Sequence, residues 1–274
     1  MEQAQRLRLA HRLTRTAVRD AINAMELPRS SRGLDAGCGV GQHALVLAEA
    51  VGAGGRVVGL DVSEANLAVA RRELARNPNG ARVALMRVDL MQLPFVDSEL
   101  DWAWCADTLW PVPGVDPRRG VAELARVVRP GGRVGLLFFA AQVLLGGYPA
   151  LEARLDAAHA RRSPYLGAVV DLQPARALAW LEGAGLERAS VRTFTADVQA
   201  PLDPKTREAL AFWIDMLWGE LGPGLPAGDR ELFRRLCLPD SPEFVGDRPG
   251  YAGFLTYQLF VARRPAVAGR GDPG

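Results

Sequence analysis

A glycine-rich loop that follows a short apolar segment is the stretch of this chain best suited to bind a ligand. Asp35 ends the apolar segment, and Gly37, Gly39 and Gly41 then follow at every second position. Glycine lets the backbone turn sharply and approach a ligand closely. The alanine- and leucine-rich run 44–50 predicts a helix, whose N-terminus would offer free N–H groups. The pattern therefore predicts a strand, a glycine loop and a helix.

The spacing of this loop separates it from a dinucleotide-binding loop. The dinucleotide fingerprint is G-x-G-x-x-G, whereas this chain has G-x-G-x-G. A carboxylate as close to the loop as Asp35 would repel a pyrophosphate, whereas it would attract a ligand that carries an amine or a sulfonium. A nicotinamide-dependent oxidoreductase, which would share the same kind of sheet, is therefore the weakest alternative.

A second strand, predicted over residues 56–61, ends in Asp61. An acid about 20 residues past a glycine loop suits the hydroxyls of a ribose, whose hydrogen bonds its carboxylate would accept. Val62 would then lie beside an adenine face. The alternative interpretation is that Asp61 only caps the end of the strand. Ser63 has the residue type of an N-cap, for a helix predicted over 64–76.

Strands and helices alternate as far as residue 140, and this alternation predicts an α/β fold with a doubly wound, mostly parallel sheet. Ligands of such sheets bind outside the carboxyl ends of the strands. Asp35, Asp61, Asp89 and Cys105 all fall at predicted strand ends, so one crevice would collect them. The further elements are predicted as strands at 82–87, 100–105, 133–140, 186–194 and 253–263, helices at 3–26, 118–128, 149–162, 173–184, 204–221 and 229–237, and a turn at 129–132.

The segment Leu34-Asp-Ala-Gly-Cys-Gly-Val-Gly41 resembles motif I of the class I S-adenosylmethionine-dependent methyltransferases. Asp61, Asp89 and the run Arg126-Val-Val-Arg-Pro-Gly-Gly132 follow in that family's order. The resemblance implies a Rossmann-like, seven-stranded fold with helical cap insertions, the last strand inserted antiparallel between strands five and six. It also implies S-adenosylmethionine as the cofactor, with Asp89 accepting from the adenine amine and the Leu90 N–H reaching a ring nitrogen. The implied cofactor-binding residues are Asp35, Ala36, Gly37, Cys38, Gly39, Gly41, Asp61, Val62, Asp89, Leu90 and Cys105.

Methyl transfer from such a cofactor requires few catalytic side chains. Its methyl group stands on a sulfonium, and the enzyme mainly aligns that group with a nucleophile, which can supply roughly 7–11 kcal/mol of the barrier. A general base is optional. His43, at the start of the helix after the loop, is the best candidate for one, although a bond to the cofactor or a packing role is the more conservative interpretation.

The sequence indicates a small, partly hydrophobic acceptor. Aromatic residues in the predicted cap segments could as a group line an apolar pocket, although for any single one of them packing against the helices of the cap is the more conservative interpretation. They are Trp110, Tyr148, Tyr165, Phe212, Trp213 and Trp218, of which Trp110, Tyr148 and Trp213 are the substrate-site candidates. The Asp/Asn-Pro-Pro-aromatic motif of exocyclic-amine methyltransferases is absent after Cys105. That cysteine also lacks the flanking proline of cytosine-C5 enzymes, and no carboxylate cluster suggests a magnesium site.

Composition narrows the class of protein further. The net charge of +2, from 33 basic and 31 acidic residues in 274, gives no electrostatic footprint for nucleic acid. Three separated cysteines show neither metal-ligand spacing nor a disulfide framework. With no apolar signal segment and no stretch long enough to span a bilayer, we expect a cytoplasmic protein that binds neither metal nor membrane.

These observations predict one methyltransferase domain over residues 1–264, with cap segments 1–28, 141–170 and 196–250 and a disordered tail at 265–274. The expected function is methyl transfer from S-adenosylmethionine to a small organic acceptor. An RNA or protein methyltransferase and a cofactor-binding protein without transfer activity are the alternatives, and the oligomeric state stays open.

Overall fold

The computed structural model describes residues 3–111, 116–163 and 169–266. Its strands all belong to one sheet. In chain order they are Arg32–Ala36 (β1), Arg56–Asp61 (β2), Val83–Arg87 (β3), Leu100–Ala106 (β4), Val128–Val143 (β5), Glu187–Gln199 (β6) and Ala252–Arg263 (β7).

The α-helices alternate with the first five strands and then dominate the second half of the chain. They are Gln3–Ala24 (α1), Gln42–Val51 (α2), Glu64–Ala75 (α3), Pro117–Val127 (α4), Pro149–Arg162 (α5), Ala177–Gly183 (α6), Pro204–Trp218 (α7) and Ala227–Cys237 (α8). Short 3-10 turns stand at Gly80–Arg82, Val170–Leu172, Pro174–Arg176, Gly219–Gly224 and Val245–Asp247.

The seven strands follow the order β3-β2-β1-β4-β5-β7-β6. The neighbours from β3 through β5 pair in parallel. β7 runs antiparallel to β5, because the Gly131 N–H donates to the Arg264 carbonyl at one end and Thr256 bonds to the Ala141 carbonyl further along. The doubly wound, mostly parallel sheet predicted from the sequence is therefore confirmed, and so is the place of the last strand.

The order of the strands reverses between β1 and β4. From β1 the chain steps outward to β2 and β3, and then returns to add β4 on the other side of β1. In open α/β sheets ligands bind at this switch point, outside the carboxyl ends of the strands. Asp35 is the fourth residue of β1 and therefore stands beside the switch point.

N-cap side chains account for the residues at which two of the helices begin. The Ser63 hydroxyl accepts a hydrogen bond from the Asn66 N–H at 3.2 Å, as its N-cap position predicts. Asp116 caps α4 by accepting from the Arg118 N–H, and Pro117 takes the first helical position, where a missing N–H costs nothing.

Several predicted boundaries were wrong, and the three largest differences are these. Residues 129–132 are not a free turn before the fifth strand, because Gly131 and Gly132 bond to Arg264 of the neighbouring chain segment and extend the strand. The helix predicted over 173–184 is α-helical only from Ala177, since Pro174 opens a 3-10 turn. β6 continues to Gln199, five residues beyond its predicted end.

The described residues divide into two compact units. The first, here called the sheet unit, lies within residues 21–138, 169–192 and 258–274, and the second, the helical unit, lies within 1–20, 139–168 and 193–257. Leu34, Trp180 and Phe260 belong to the core of the sheet unit. Trp218 and Phe244 belong to that of the helical unit. The helical unit overlaps the three predicted cap segments, whose role as a cap stays a prediction.

Most of the predicted tail, 267–274, lies outside the described residues. Within the described ranges no helix is long and apolar enough to cross a bilayer.

Close packing against Gly33 supports the centre of the sheet. A Cβ at Gly33 would lie 2.1 Å from the indole of Trp102, which is fully buried and donates through Nε1 to the Ser31 hydroxyl at 2.9 Å. We expect Gly33→Ala to lower the free energy of unfolding by about 1–3 kcal/mol or more, because the core would be overpacked. Gly183→Ala is the control, since its Cβ meets no atom within 4 Å and alanine favours a helix. Urea denaturation that found both variants equally stable would contradict this interpretation.

Candidate functional site

Asp35 is a buried carboxyl group at the switch point of the sheet. It lies in register with Gly59 of β2 and Trp104 of β4, and it is 1% exposed. The Ala44 N–H donates to its carboxylate. The second oxygen, Oδ2, has no hydrogen-bond partner among the described residues. A buried acceptor without a partner is costly, so this atom marks a place where a ligand or a water belongs.

The environment of Asp35 also disfavours its charge. Burial raises the pKa of this carboxyl from its ordinary value of 3.8 to about 7, and the nearby carboxylate of Asp61 adds to the effect, while the bond from Ala44 opposes it. A positively charged ligand group placed beside Asp35 would reverse this shift, because it would favour the ionised form. The site is therefore electrostatically suited to a cation.

The glycine loop is held against the end of β2 by backbone hydrogen bonds. The N–H groups of Gly37 and Cys38 both donate to the Leu60 carbonyl, at 2.8 and 2.7 Å. Gly37 and Gly41 have φ of 77° and 81°, in the region that favours glycine. A Cβ at Gly37 would lie 2.0 Å from the Thr108 hydroxyl oxygen, so a side chain is excluded there by space as well as by backbone angle.

Asp61 joins the glycine loop to the start of α3. Its Oδ2 accepts from the Gly39 N–H at 2.9 Å, and its Oδ1 accepts from the Ser63 N–H at 2.8 Å and from the Asn66 amide at 3.4 Å. Asp61 therefore does cap the end of its strand, as the alternative interpretation predicted. A carboxylate has about four lone-pair sites, so these bonds leave acceptor capacity for ligand hydroxyls.

The remaining predicted cofactor residues lie at the same ends of their strands or loops. Ala36 is the fully buried last residue of β1, and the apolar residue Val62, directly after β2, is 60% exposed. Asp89 follows β3, is exposed, and accepts from the Met91 N–H at 2.9 Å. Leu90 is buried in the core of the sheet unit. The structure thus brings an exposed apolar side chain and an exposed carboxylate to the end of the sheet predicted to bind the adenine.

The end of β4 combines the predicted Cys105 with two residues, Asp107 and Thr108, that the sequence analysis did not single out. Cys105 is buried, and burial raises the pKa of its thiol far above the ordinary value. Asp107, the next residue but one, has a φ of 47°, and its N–H donates to the Leu137 carbonyl. Thr108 closes against the glycine loop. The position of an acid just after a predicted strand was the available signal for Asp107.

His43 is held as a neutral imidazole. Burial lowers its pKa from 6.5 to about 4, and its ring packs edge-on against Trp104 with the ring centroids 6.2 Å apart. A base with so low a pKa is mostly free of protons at neutral pH, but it holds an abstracted proton weakly. These properties suit the packing alternative better than proton abstraction, and a catalytic role for His43 stays a prediction.

The aromatic residues predicted to line an acceptor pocket are mostly core residues. Trp213 is 3% exposed and donates to the Ala10 carbonyl inside the helical unit. Tyr148, at the start of α5, lies under the guanidinium of Arg248. Trp110 packs edge-on against Phe138 in the sheet unit, with centroids 5.8 Å apart. Phe212 and Trp218 are also buried in the helical unit, and Tyr165 lies outside the described residues. Contact of Trp110, Tyr148 or Trp213 with a substrate stays a prediction.

Comparison with known proteins identifies the family. Residues 34–132 match the family described as a methyltransferase domain. A demethylmenaquinone methyltransferase of Bacillus cereus is 33% identical over 194 residues, which cover 66% of this chain and 81% of that protein. The chain belongs to the class I S-adenosylmethionine-dependent methyltransferases, enzymes that take the transferred methyl group from S-adenosylmethionine.

Solved structures share the fold at low sequence identity. A proposed methyltransferase from Bacillus halodurans is 21% identical, with a TM-score of 0.56 over 91% of this chain and 99% of its own. The cyclase SpnF is 23% identical, with a TM-score of 0.53 over 91% of this chain and 81% of its own. Because each similarity covers 91% of this chain, the shared fold includes segments beyond residue 132, where the match to the family ends.

Opposite pKa shifts at Asp35 and His43 predict a measurable pH linkage. Folded Asp35 keeps its proton up to about pH 7 while the unfolded chain loses it near 3.8, so this group lowers the free energy of unfolding as pH rises through that window. Folded His43 has a pKa of about 4 against 6.5 unfolded, so it raises the free energy of unfolding between those values. We expect the stability gained by Asp35→Asn over the native protein to grow by up to about 1.4 kcal/mol per pH unit between pH 4 and 7.

Urea denaturation of the native protein, Asp35→Asn and His43→Gln at several pH values measures these slopes. The two groups oppose each other between pH 4 and 6.5, so the native profile itself should be shallow there. A stability difference between Asp35→Asn and the native protein that does not change with pH would show that the buried carboxyl is not protonated in the fold.

The bonds of Asp61 predict a structural cost that must be separated from any loss of binding. Asp61→Ala removes the acceptors of the Gly39 and Ser63 N–H groups, so we expect the free energy of unfolding to fall by about 1–3 kcal/mol. Ser63→Ala is the matched control, because it removes only the helix cap, worth about 1 kcal/mol. Equal stabilities of the two variants would mean that the bond to the glycine loop contributes nothing.

Proposed function

We propose that this chain transfers a methyl group from S-adenosylmethionine to a small, partly apolar organic acceptor, and that the cofactor lies at the carboxyl ends of β1 to β4. The observation that supports this site most strongly is the buried, unpartnered Oδ2 of Asp35. S-adenosylmethionine has two cationic groups, an ammonium and a sulfonium, and either would stabilise the ionised form of this carboxyl.

The neighbouring residues fit the other parts of the cofactor. Asp61 has acceptor capacity for the ribose hydroxyls beyond the bonds that it makes to Gly39 and Ser63. The exposed Val62 side chain suits one face of the adenine, because an apolar surface directly after a strand would be covered by the base. Asp89 suits the exocyclic amine of the adenine, and the N–H of Leu90 a ring nitrogen.

The role of the protein in the reaction is alignment. S-adenosylmethionine, when bound, supplies a methyl group on a sulfonium, which is a good leaving group. Transfer would break the bond from that carbon to sulfur as the bond to the acceptor formed, with the electron pair left on sulfur and a proton lost from the acceptor. Residues of the glycine loop and the strand ends would hold the cofactor, and alignment of this kind can supply roughly 7–11 kcal/mol.

Similarity to enzymes named for demethylmenaquinone supports a quinone-type ring as the acceptor class. The net charge of +2 gives no support to a nucleic-acid acceptor. With such an acceptor, a ring carbon would attack the methyl group, and the ring would then lose the proton from that carbon.

Calorimetric titration tests the cofactor site directly. We expect S-adenosylmethionine to bind the native protein more tightly as pH rises from 6 to 8, because binding requires Asp35 to release its proton. For Asp35→Asn we expect a roughly tenfold or greater loss at pH 8, since hydrogen bonds to charged groups are worth about 1.5–3 kcal/mol, and no pH dependence from this source. The control ligand is 5′-methylthioadenosine, which lacks both cationic groups and should bind the native protein and the variant equally.

An acceptor assay separates the two levels of the proposal. Methyl transfer from labelled S-adenosylmethionine to a reduced demethylated naphthoquinone would support the acceptor class. Cofactor binding without transfer to this acceptor would leave the cofactor site intact and exclude the quinone. If S-adenosylmethionine does not bind the native protein at all, the proposed site is wrong.

A further inference from the structure

A second concave site lies in the sheet unit, near the opposite end of the parallel strands. It is a cavity of about 200 Å³ between the end of α1 and the neighbouring strands β5, β7 and β6. Arg133 of β5 lies in register with Trp102, which in turn pairs with Gly33, the second residue of β1. The proposed cofactor residues stand at the other, carboxyl ends of these strands. The lining consists of Ala24, Glu26, Arg133, Arg188, Ser190, Arg192, Leu259, Val261, Ala262 and Arg263.

Positive charge dominates this cavity. Four arginines line it against a single carboxylate, in a chain whose net charge is only +2. Glu26 is already used by Arg133, whose two terminal nitrogens each donate to it at 3.1 Å. Arg188 and Arg263 make no side-chain hydrogen bond or ion pair with any residue in the described ranges. Guanidinium groups gathered in this way repel each other unless an anion lies among them.

The cavity has one anchored guanidinium and two strained backbone positions. The side chain of Arg133 is only 18% exposed, and it also donates to the Met25 carbonyl at the end of α1. Glu26 and Arg188 have φ of 45° and 55°, a region that residues other than glycine rarely adopt. Strained backbone of this kind concentrates at ligand sites, where it fixes the direction of a functional side chain.

The strand pattern places these groups on one face. Ser190 and Arg192 occupy alternate positions of β6, so they project from the same face of that strand, and Arg188 lines the same cavity. Leu259, Val261 and Arg263 alternate in the same way on β7, next to β6 in the sheet. The cavity therefore combines arginines with an apolar surface.

From this arrangement we infer an anion site for a phosphate or diphosphate group, separate from the methyl-transfer site. Arginine forms paired, planar hydrogen bonds with phosphate oxygens. Arg188 and Arg263 have no carboxylate partner in the described ranges, and a diphosphate has enough negative charge to pair with both of them. The Ser190 hydroxyl adds a further donor, and the apolar residues of β7 would receive the organic part of the ligand.

A phosphate group of this kind can belong to a soluble metabolite or to the headgroup of an anionic lipid. Inorganic pyrophosphate, titrated calorimetrically into the full chain, tests the first source. Flotation with phosphatidylcholine vesicles that contain or lack phosphatidylglycerol tests the second. Saturable binding of pyrophosphate alone assigns the site to a soluble ligand, and binding to vesicles only when phosphatidylglycerol is present assigns it to a lipid headgroup.

The double variant Arg188→Gln/Arg263→Gln links the binding to this cavity. We expect it to weaken binding by at least about tenfold, since charged hydrogen bonds are lost, while binding of S-adenosylhomocysteine stays unchanged. The control, Arg72→Gln/Arg76→Gln at the C-terminal end of α3, removes the same charge elsewhere and should have little effect. The inference fails if neither probe binds, if the two double variants bind alike, or if a 20-nucleotide RNA binds the native protein more tightly than pyrophosphate does.

Discussion

The burial of one carboxyl group, that of Asp35, is the constraint on which the candidate site depends. Burial in the middle of a parallel sheet disfavours the charged form, and the neighbouring carboxylate of Asp61 disfavours it further. No arginine in the described part of the chain pairs with Asp35, although arginines pair with carboxylates at many places on the surface. An internal ion pair would remove the attraction for a cationic ligand. The free energy lost by burying Asp35 without a counter-ion would be regained when a cationic ligand binds beside it.

Asp61 shows how one side chain can serve both the fold and the ligand. Structural capping and ribose binding were alternatives in the sequence, and the structure contains the capping bonds to Gly39 and Ser63. These bonds fix the carboxylate and the glycine loop relative to each other before any ligand arrives. A preorganised acceptor loses less freedom on binding, so the capping bonds of Asp61 would also strengthen its binding of a ligand.

The fold alone does not decide the reaction. Structures with this fold include one named as a cyclase, which is 23% identical to this chain, and the proposed methyltransferase from Bacillus halodurans, which is 21% identical. Function on a shared fold depends on the site and not on the sheet. The family of this chain is therefore established by its sequence relatives. The acceptor is not fixed by the fold, and the aromatic side chains of the helical unit are mostly packed in their own core.

The sequence by itself determined the strand–loop–helix at Asp35, the doubly wound sheet and the family. Glycine spacing, strand-end acids and helix caps such as Ser63 are local signals, and a local signal can be recognised without knowing the fold. Only the tertiary structure decided what depends on distant residues. Gly131 and Gly132 became strand because Arg264, far along the chain, bonds to them. Trp213 became core because its neighbours surround it, and the arginines beside Arg133 meet only because β5, β7 and β6 lie together.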